Sequence, residues 1–113
     1  MALLTEAQRT QMRANRERRQ GDPTFDPLPV VKLHTPDAGA VWLLTDLLAD
    51  GDGAFGLCDA GIGCPELRMV SLAEVEAMQG PRGMRVVPDP GFVPDRSLSA
   101  YLADAIRDGS VND

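Results

Sequence analysis

The sequence predicts an α+β domain in which a four- to five-stranded, mainly antiparallel sheet carries a C-terminal helix and one short helix, with a further helix at the N-terminus. Three observations favour this class. Runs rich in Val and Leu alternate with Pro and Gly turns, capping-box patterns precede two segments, and one amphipathic stripe lies near the C-terminus. With 113 residues and 43 % apolar content the chain can close one core, so we expect one domain.

The N-terminal segment is predicted to be a basic helix followed by an extended connector. Thr5 with Gln8 three positions later forms a capping-box pattern, and Gly21 supplies a stop, so a helix is predicted over residues 5–20. Its apolar stripe is thin, which predicts loose docking. Three prolines make residues 21–29 an extended connector. The predicted division is a basic helix in residues 1–20, the connector in residues 21–29, and one α+β domain in residues 30–113.

The strongest strand signal is a hairpin around Pro36–Gly39. Val30–Thr35 and Ala40–Asp46 are rich in Val and Leu, and the four residues between them place Pro and Gly where a turn requires them. Pairing across this turn sets Leu33 opposite Trp42 and predicts one apolar face. The residues of that face are Val31, Leu33, Trp42 and Leu44.

Two more strands are predicted to complete a meander. Residues 54–59 form the third strand, and the turn at residues 60–63 leads into a fourth strand at residues 66–70. Because every connection is short, the four strands are expected to pair antiparallel with their neighbours in sequence.

The C-terminal part is predicted to contain two helices and an edge strand. Ser71 and Glu74 form a capping-box pattern that opens a short helix over residues 71–79. Residues 84–87 are expected to add a fifth strand at a sheet edge, before a Pro-rich turn. Residues 97–108 form the clearest helix, because its apolar positions follow one stripe that ends at a glycine. These positions are Leu98, Tyr101, Leu102, Ala105 and Ile106, followed by Gly109.

The charge of the chain is divided between its two ends. The net charge is −6, and residues 1–20 carry +3 while residues 21–113 carry −9. A body this acidic repels phosphate backbones, which argues against DNA or RNA as its partner. Nucleic-acid binding stays open only for the N-terminal helix, where Arg9, Arg13 and Arg16 fall on one face.

Composition also bears on location. The first residues lack the basic region and apolar run of a signal peptide, so a cytoplasmic location and reduced Cys58 and Cys64 are expected. No apolar stretch approaches the roughly 18 residues needed to cross a bilayer, so no membrane partner is expected.

The segment Cys58–Glu66 is the most unusual stretch of the chain. Asp59, Gly61, Gly63 and Glu66 crowd a tight turn, and glycines there allow backbone amides to face a small ligand. The alternative is that the glycines only take the positive φ angles of a hairpin turn. These four residues and the arginines of the N-terminal helix are the candidate binding residues.

No residue pattern indicates a catalytic site, a metal centre or a cofactor. His34 could act as an acid or base with Asp46 or Asp59, but it has no nucleophile motif beside it. A metal-dependent hydrolase is the enzymatic alternative, and it requires Asp46, Asp59 and Glu66 to converge on one pocket.

Three segments of the chain resemble a known family. Val30–Asp46, Ala54–Gly63 and Pro65–Glu76 are similar to the bacterial domain-of-unknown-function family 2958. The resemblance implies a protein of plasmids, integrative elements or phages, encoded near antirestriction and DNA-transfer functions. The chain departs from the family pattern at His34, Cys64, Arg68 and Met69. These departures favour packing roles for His34 and Cys64.

The function expected from these observations is non-enzymatic. The sequence favours an acidic accessory protein of a mobile element that binds a host or element-encoded protein. Counter-defence and DNA mimicry are specific forms of such binding, because fifteen carboxylates in residues 21–113 can imitate an array of phosphates. The oligomeric state is left open by the sequence.

Overall fold

The computed structural model describes residues 3–60 and 64–111 and contains three α-helices and five strands in those ranges. None of the helices in the described ranges combines the length and apolar content that crossing a bilayer requires. In chain order the elements are α1 (Glu6–Gly21), β1 (Val31–His34), β2 (Val41–Leu47), β3 (Gly53–Asp59), β4 (Glu66–Ser71), α2 (Leu72–Ala77), β5 (Val87–Pro88) and α3 (Leu98–Asp108). The α+β class is confirmed.

Helix α1 begins at the predicted capping box and packs firmly on the sheet. The Thr5 hydroxyl accepts from the Gln8 N–H, and the Gln8 side chain accepts from the Thr5 N–H. Met12 is fully buried in the core, and the Asn15 amide donates to the Thr45 carbonyl over 2.8 Å. The prediction of loose docking is therefore wrong, because two side chains of α1 are buried despite its thin stripe.

The sheet has the order β4-β3-β2-β1-β5, and every pairing is antiparallel. The predicted hairpin is confirmed in its register, since Leu33 pairs with Trp42 and His34 with Val41. The meander of four strands is also confirmed. The strand predicted at residues 84–87 forms instead at Val87–Pro88, on the edge beside β1.

The shift of this last strand has a local cause. Asp37, in the turn between β1 and β2, accepts backbone hydrogen bonds from Arg82 and Met84 through Oδ2. Gly80 packs so closely on Asp37 that a Cβ built there would lie 1.7 Å from Oδ1. Residues 80–84 are therefore held as a loop, and the chain reaches β1 only at Val87.

Two apolar clusters cover the two faces of the sheet. The α1/α2 face carries the predicted face of the hairpin together with Met12, Leu72 and Val75. The α3 face packs Leu43 and Leu57 against α3 through a smaller cluster. The α3 residues of that cluster are Leu98, Tyr101 and Ala105. Ile106 was predicted to be buried in this stripe, but it is 64 % exposed, because it lies at the margin of the helix surface that meets β3.

A bulge in β2 brings two backbones close together. The β2–β3 register shifts between Leu44 and Asp46, so Thr45 is an extra residue on β2. Opposite Leu44, Gly56 of β3 sits so near β2 that an added Cβ would lie 2.1 Å from the Leu43 carbonyl oxygen. The position therefore requires glycine.

The connector caps α3 across the fold. Ser99 donates to the Asp26 carboxylate through both its backbone N–H and its hydroxyl. Burial disfavours ionisation of this carboxyl, but the hydrogen bonds from Ser99 and Ser97 and the positive charge of Arg19 together outweigh that effect and lower the pKa of Asp26. Residue 26 thus supplies the N-terminal capping interaction that Ser97, at the N-cap position, does not make.

Asp26→Ala is expected to lower the free energy of unfolding at pH 7 by about 1 kcal/mol, the usual worth of a helix cap. Since the folded pKa of Asp26 is depressed, this stabilisation is present above the unfolded pKa of about 4 and is lost as the pH falls through the folded value. Urea unfolding of both proteins between pH 7 and pH 3 should show the difference closing in acid. Asp22→Ala is the control, because the Asp22 carboxylate accepts hydrogen bonds from nearby Thr24 and none of these bonds reaches α3. An equal effect of both substitutions would contradict the assignment.

Candidate functional site

A cavity of about 290 Å³ lies between α2 and the β3–β4 edge of the sheet. It opens on the α1/α2 face, where Trp42, Cys58 and Glu66 form one row across β2, β3 and β4. Trp42, Cys58 and Val75 are buried and form an apolar floor. The floor exists because alternate residues of the strands face α2.

Charged side chains form the rim of this cavity. Glu66 and Arg68 project from β4 on the same face and approach each other to 3.5 Å, with side-chain exposures of 63 % and 58 %. Glu74 and Met78 complete the rim from α2 and the residue that follows it. The rim therefore combines two carboxylates with one guanidinium around an apolar floor.

The thiol of Cys58 faces this cavity without being activated by it. Burial is the main cause that raises the pKa of Cys58 to about 11. Arg68 lowers that pKa by a smaller amount. A thiol with this pKa stays protonated at neutral pH and is a poor nucleophile.

At pH 8, iodoacetamide is expected to modify Cys64, which is exposed, and to leave Cys58 unmodified in the folded chain. Intact-mass spectrometry should then show one adduct in buffer and two adducts in concentrated urea. Cys64→Ser is the matched variant and should show no adduct until the chain unfolds. Rapid labelling of Cys58 in this folded variant would contradict the assigned pKa.

Two of the candidate binding residues of the Cys58–Glu66 segment, Asp59 and Glu66, lie apart from each other. Asp59 ends β3 as a buried residue, and its carboxylate accepts from the Val111 N–H over 3.1 Å. Glu66 is exposed on the cavity rim. Gly61 and Gly63 lie outside the described residues, so the proposed amide nest is a prediction only.

The three carboxylates of the hydrolase alternative do not converge. Asp46 pairs with Phe55, four residues before Asp59 on β3, which separates the two by about 13 Å along the strand. Both lie on the α3 face, whereas Glu66 pairs with Cys58 and lies on the α1/α2 face. Among residues 3–60 and 64–111, no group of three or more His, Cys, Asp or Glu side chains could hold a metal ion.

His34 lies too far from Asp59 for the two side chains to act together as an acid–base pair. It lies in the same row as Asp59, but Val41 of β2 stands between them. Two strand spacings amount to about 10 Å, which is too far for a hydrogen bond. The geometry thus places His34 as a half-buried residue of the sheet.

The three candidate arginines of α1 differ in how far the fold engages them. Arg9 donates to the Gly51 carbonyl over 3.4 Å, and Arg13 Nη2 lies 3.6 Å from where a Cβ on Gly51 would stand. Arg16 is half-buried, and its Nε has no hydrogen-bond partner in the described part of the chain. The common face expected from the sequence is thus turned in part toward the β2–β3 turn.

Sequence reasoning missed the cavity and one buried ion pair. Arg19 donates to both carboxylate oxygens of Asp46, over 2.6 Å and 3.0 Å, and Asp46 is only 1 % exposed. The cavity could have been approached from the predicted hairpin face, which already placed Trp42 toward the core. Its other walls depend on how α2 lies on the sheet, and no local signal carries that information.

The fold and the site define an α+β protein with a five-stranded antiparallel sheet and a small, charge-rimmed cavity beside one edge strand. The chain belongs to the family described as protein of unknown function (DUF2958), whose model matches residues 3–112. The match extends beyond the three segments that carry the resemblance and includes α1. No curated protein and no solved structure is similar enough to this chain to count as a match.

Proposed function

We propose that this chain is an acidic accessory protein of a mobile genetic element, and that it acts in the cytoplasm by binding another protein rather than by catalysing a reaction. The family resemblance supports the mobile-element part, because it implies proteins of plasmids, integrative elements and phages near antirestriction functions. The partner is encoded by the host or by the element itself. Charge and the form of the cavity support the binding part.

The cavity is the observation that carries the proposal. Its volume of about 290 Å³ is close to the lower limit for small-molecule sites, which is roughly 300 Å³. An apolar floor with a charged rim of this size suits one projecting side chain of a partner protein. Glu66 and Glu74 then favour a partner whose surrounding surface is basic.

The carboxylates of the body support binding over catalysis. Asp26, Asp46, Asp52 and Asp59 each accept hydrogen bonds from a different part of the chain. These four carboxylates therefore serve the fold at separate places, and the excess of acidic over basic residues gives residues 21–113 a dispersed negative field. Such a field attracts a basic surface. If the partner is a protein that normally binds DNA, the binding function is counter-defence by DNA mimicry.

The decisive experiment compares partner capture by three forms of the full chain. The three baits are wild type, Glu74→Lys on the cavity rim, and Glu17→Lys on the exposed face of α1. Each bait is incubated with host lysate, and the retained proteins are identified by mass spectrometry. The two variants change the net charge equally, so only position distinguishes them. We expect one protein to be retained by wild type and by Glu17→Lys, and to be lost with Glu74→Lys.

The capture experiment also distinguishes DNA mimicry from other kinds of protein binding. Duplex DNA that competes with the chain for the retained protein would support mimicry of DNA. Equal capture by all three baits would remove the cavity as the contact site. If no bait retains a protein specifically, the binding function itself is wrong.

A further inference from the structure

The outer edge of β4 is open and partly apolar. Strand β4 is the first in the sheet order, and no strand of residues 3–60 or 64–111 lies on its outer side. Leu67 and Met69 project on the α3 face and are 38 % and 41 % exposed. Glu66 and Arg68 project on the opposite face, on the cavity rim.

The hydrogen-bond pattern shows which backbone groups point outward. Leu72 N–H donates to the Asp52 carbonyl over 2.9 Å, in the same register as the β3–β4 pairs. Hydrogen-bonded and non-hydrogen-bonded pairs alternate along an antiparallel ladder, so Arg68 belongs to the pairs that bond to β3. Leu67 and Met69 therefore direct their N–H and C=O groups away from the sheet. An edge of this kind is a template for another strand.

We propose that the occupant of this edge is a second copy of the chain, which pairs its β4 antiparallel to the first about a two-fold axis beside Leu67. In this register Leu67 meets Leu67 of the second copy, and each Glu66 lies directly opposite an Arg68. Two cross-strand ion pairs and one apolar pair form together. The two sheets then join into one continuous sheet.

Charge selects this register over its neighbours. The backbone groups that point outward belong to every second residue of β4. Two copies of β4 can therefore bond to each other about a two-fold axis only if the axis passes beside a residue, and not between two neighbouring residues. An axis beside Arg68 sets the two guanidiniums opposite each other, and an axis beside Glu66 does the same for the two carboxylates. Like charges directly opposite destabilise a strand pair, so only the axis beside Leu67 is favourable at both positions. The self-complementarity of Glu66 and Arg68 thus argues for a second copy over an unrelated strand.

The dimer would also extend the cavity. Glu66 and Arg68 line its rim in each copy, so the pairing places the Arg68 of one copy beside the Glu66 of the other at this rim. Both cavities lie on the same face of the joined sheet. Self-association through β4 does not depend on the identity of any other partner.

The test is a charge-swap series on the full chain, kept reduced so that exposed Cys64 cannot cross-link copies. Sedimentation equilibrium at low salt should show wild type in a concentration-dependent monomer–dimer equilibrium. Glu66→Arg alone and Arg68→Glu alone should each weaken dimerisation at least about tenfold, because both create like-charged pairs. An equimolar mixture of the two variants should restore the dimer, since each supplies the charges that the other needs.

Two further measurements secure the interpretation. Glu17→Arg makes the same charge change on α1 and should dimerise like wild type. Amide hydrogen exchange at Leu67 and Met69 should slow as the wild-type concentration rises. A wild-type chain that stays monomeric up to about 1 mM would overturn the proposal, and so would a β4 that pairs only with a strand of a different protein. Folded single variants whose mixture does not associate would overturn it equally.

Discussion

Gly56→Ala is expected to destabilise the folded chain by about 3 kcal/mol or more. Glycine in a strand interior is normally unfavourable, and alanine there would by itself reduce the entropy of the unfolded chain. At this position the new Cβ would lie 2.1 Å from the Leu43 carbonyl oxygen and 2.7 Å from the Leu44 Cα. Both are backbone atoms of a central strand and cannot move aside without breaking the β2–β3 pairing. Urea unfolding followed by circular dichroism gives the free energy.

Gly21→Ala is the matched control for this substitution. Gly21 is the last residue of α1. Apart from its two neighbours in the chain and the backbone of α1 itself, no atom of the described residues lies within 4 Å of a Cβ built there. Its replacement should change the free energy of unfolding by less than about 1 kcal/mol. A similarly small effect of Gly56→Ala would show that the two strands can separate locally, which contradicts the close packing at the bulge.

Arg19→Met is expected to lower the free energy of unfolding by about 2 to 4 kcal/mol, because it leaves the buried Asp46 carboxylate without its ion pair. Asp46 is 1 % exposed, whereas the Arg19 side chain is 23 % exposed. Methionine retains much of the apolar stem, so the loss reports mainly on charge and hydrogen bonding. Arg19 also stacks on Phe55 at 4.9 Å, which adds a smaller contribution.

Arg18→Met serves as the neighbouring control. Arg18 is exposed and stacks on Phe25 at 4.7 Å, so its loss should cost no more than about 1 kcal/mol. Adding Asp46→Leu to Arg19→Met should recover part of the stability, since the unpaired buried charge is then removed. If Arg19→Met and Arg18→Met behave alike, the ion pair does not stabilise the fold.

The elements that the sequence predicted well are those whose signals are local. Thr5 with Gln8 marks the start of α1, and the Pro36–Gly39 turn sets both the hairpin and its register. The register follows because a turn of fixed length leaves one way to pair the strands and one set of side chains on each face. Gly109, with a φ of 80°, ends α3 for an equally local reason.

The features that the sequence did not predict depend on contacts between distant segments. Asp26 caps α3 from the connector, and Arg19 reaches Asp46 from the last turn of α1. Neither pair has a spacing that sequence patterns can detect. For the same reason the firm docking of α1 was missed, since it depends on Met12 and Asn15 fitting against β2.

The candidate site shows why closeness in sequence is a weak guide. Asp59 and Glu66 are only seven positions apart, yet they project on opposite faces of the sheet. Cross-strand partners share a face, so Glu66 follows Cys58 and Asp59 follows Val41. A shift of one residue in the register would have united the two carboxylates, which is why the turn length matters more here than composition.

The strand order has a consequence for how the chain acquires its structure. Every pairing from β1 to β4 joins strands that are consecutive in the chain, so these pairings close short loops at low entropic cost. Only β5 must travel back to the first strand, and it does so with two residues. During synthesis the meander can therefore assemble before β5 has emerged from the ribosome. The β1–β5 pairing is then the last to form and the first to open. Its amides should therefore lose protection from hydrogen exchange before those of the central strands.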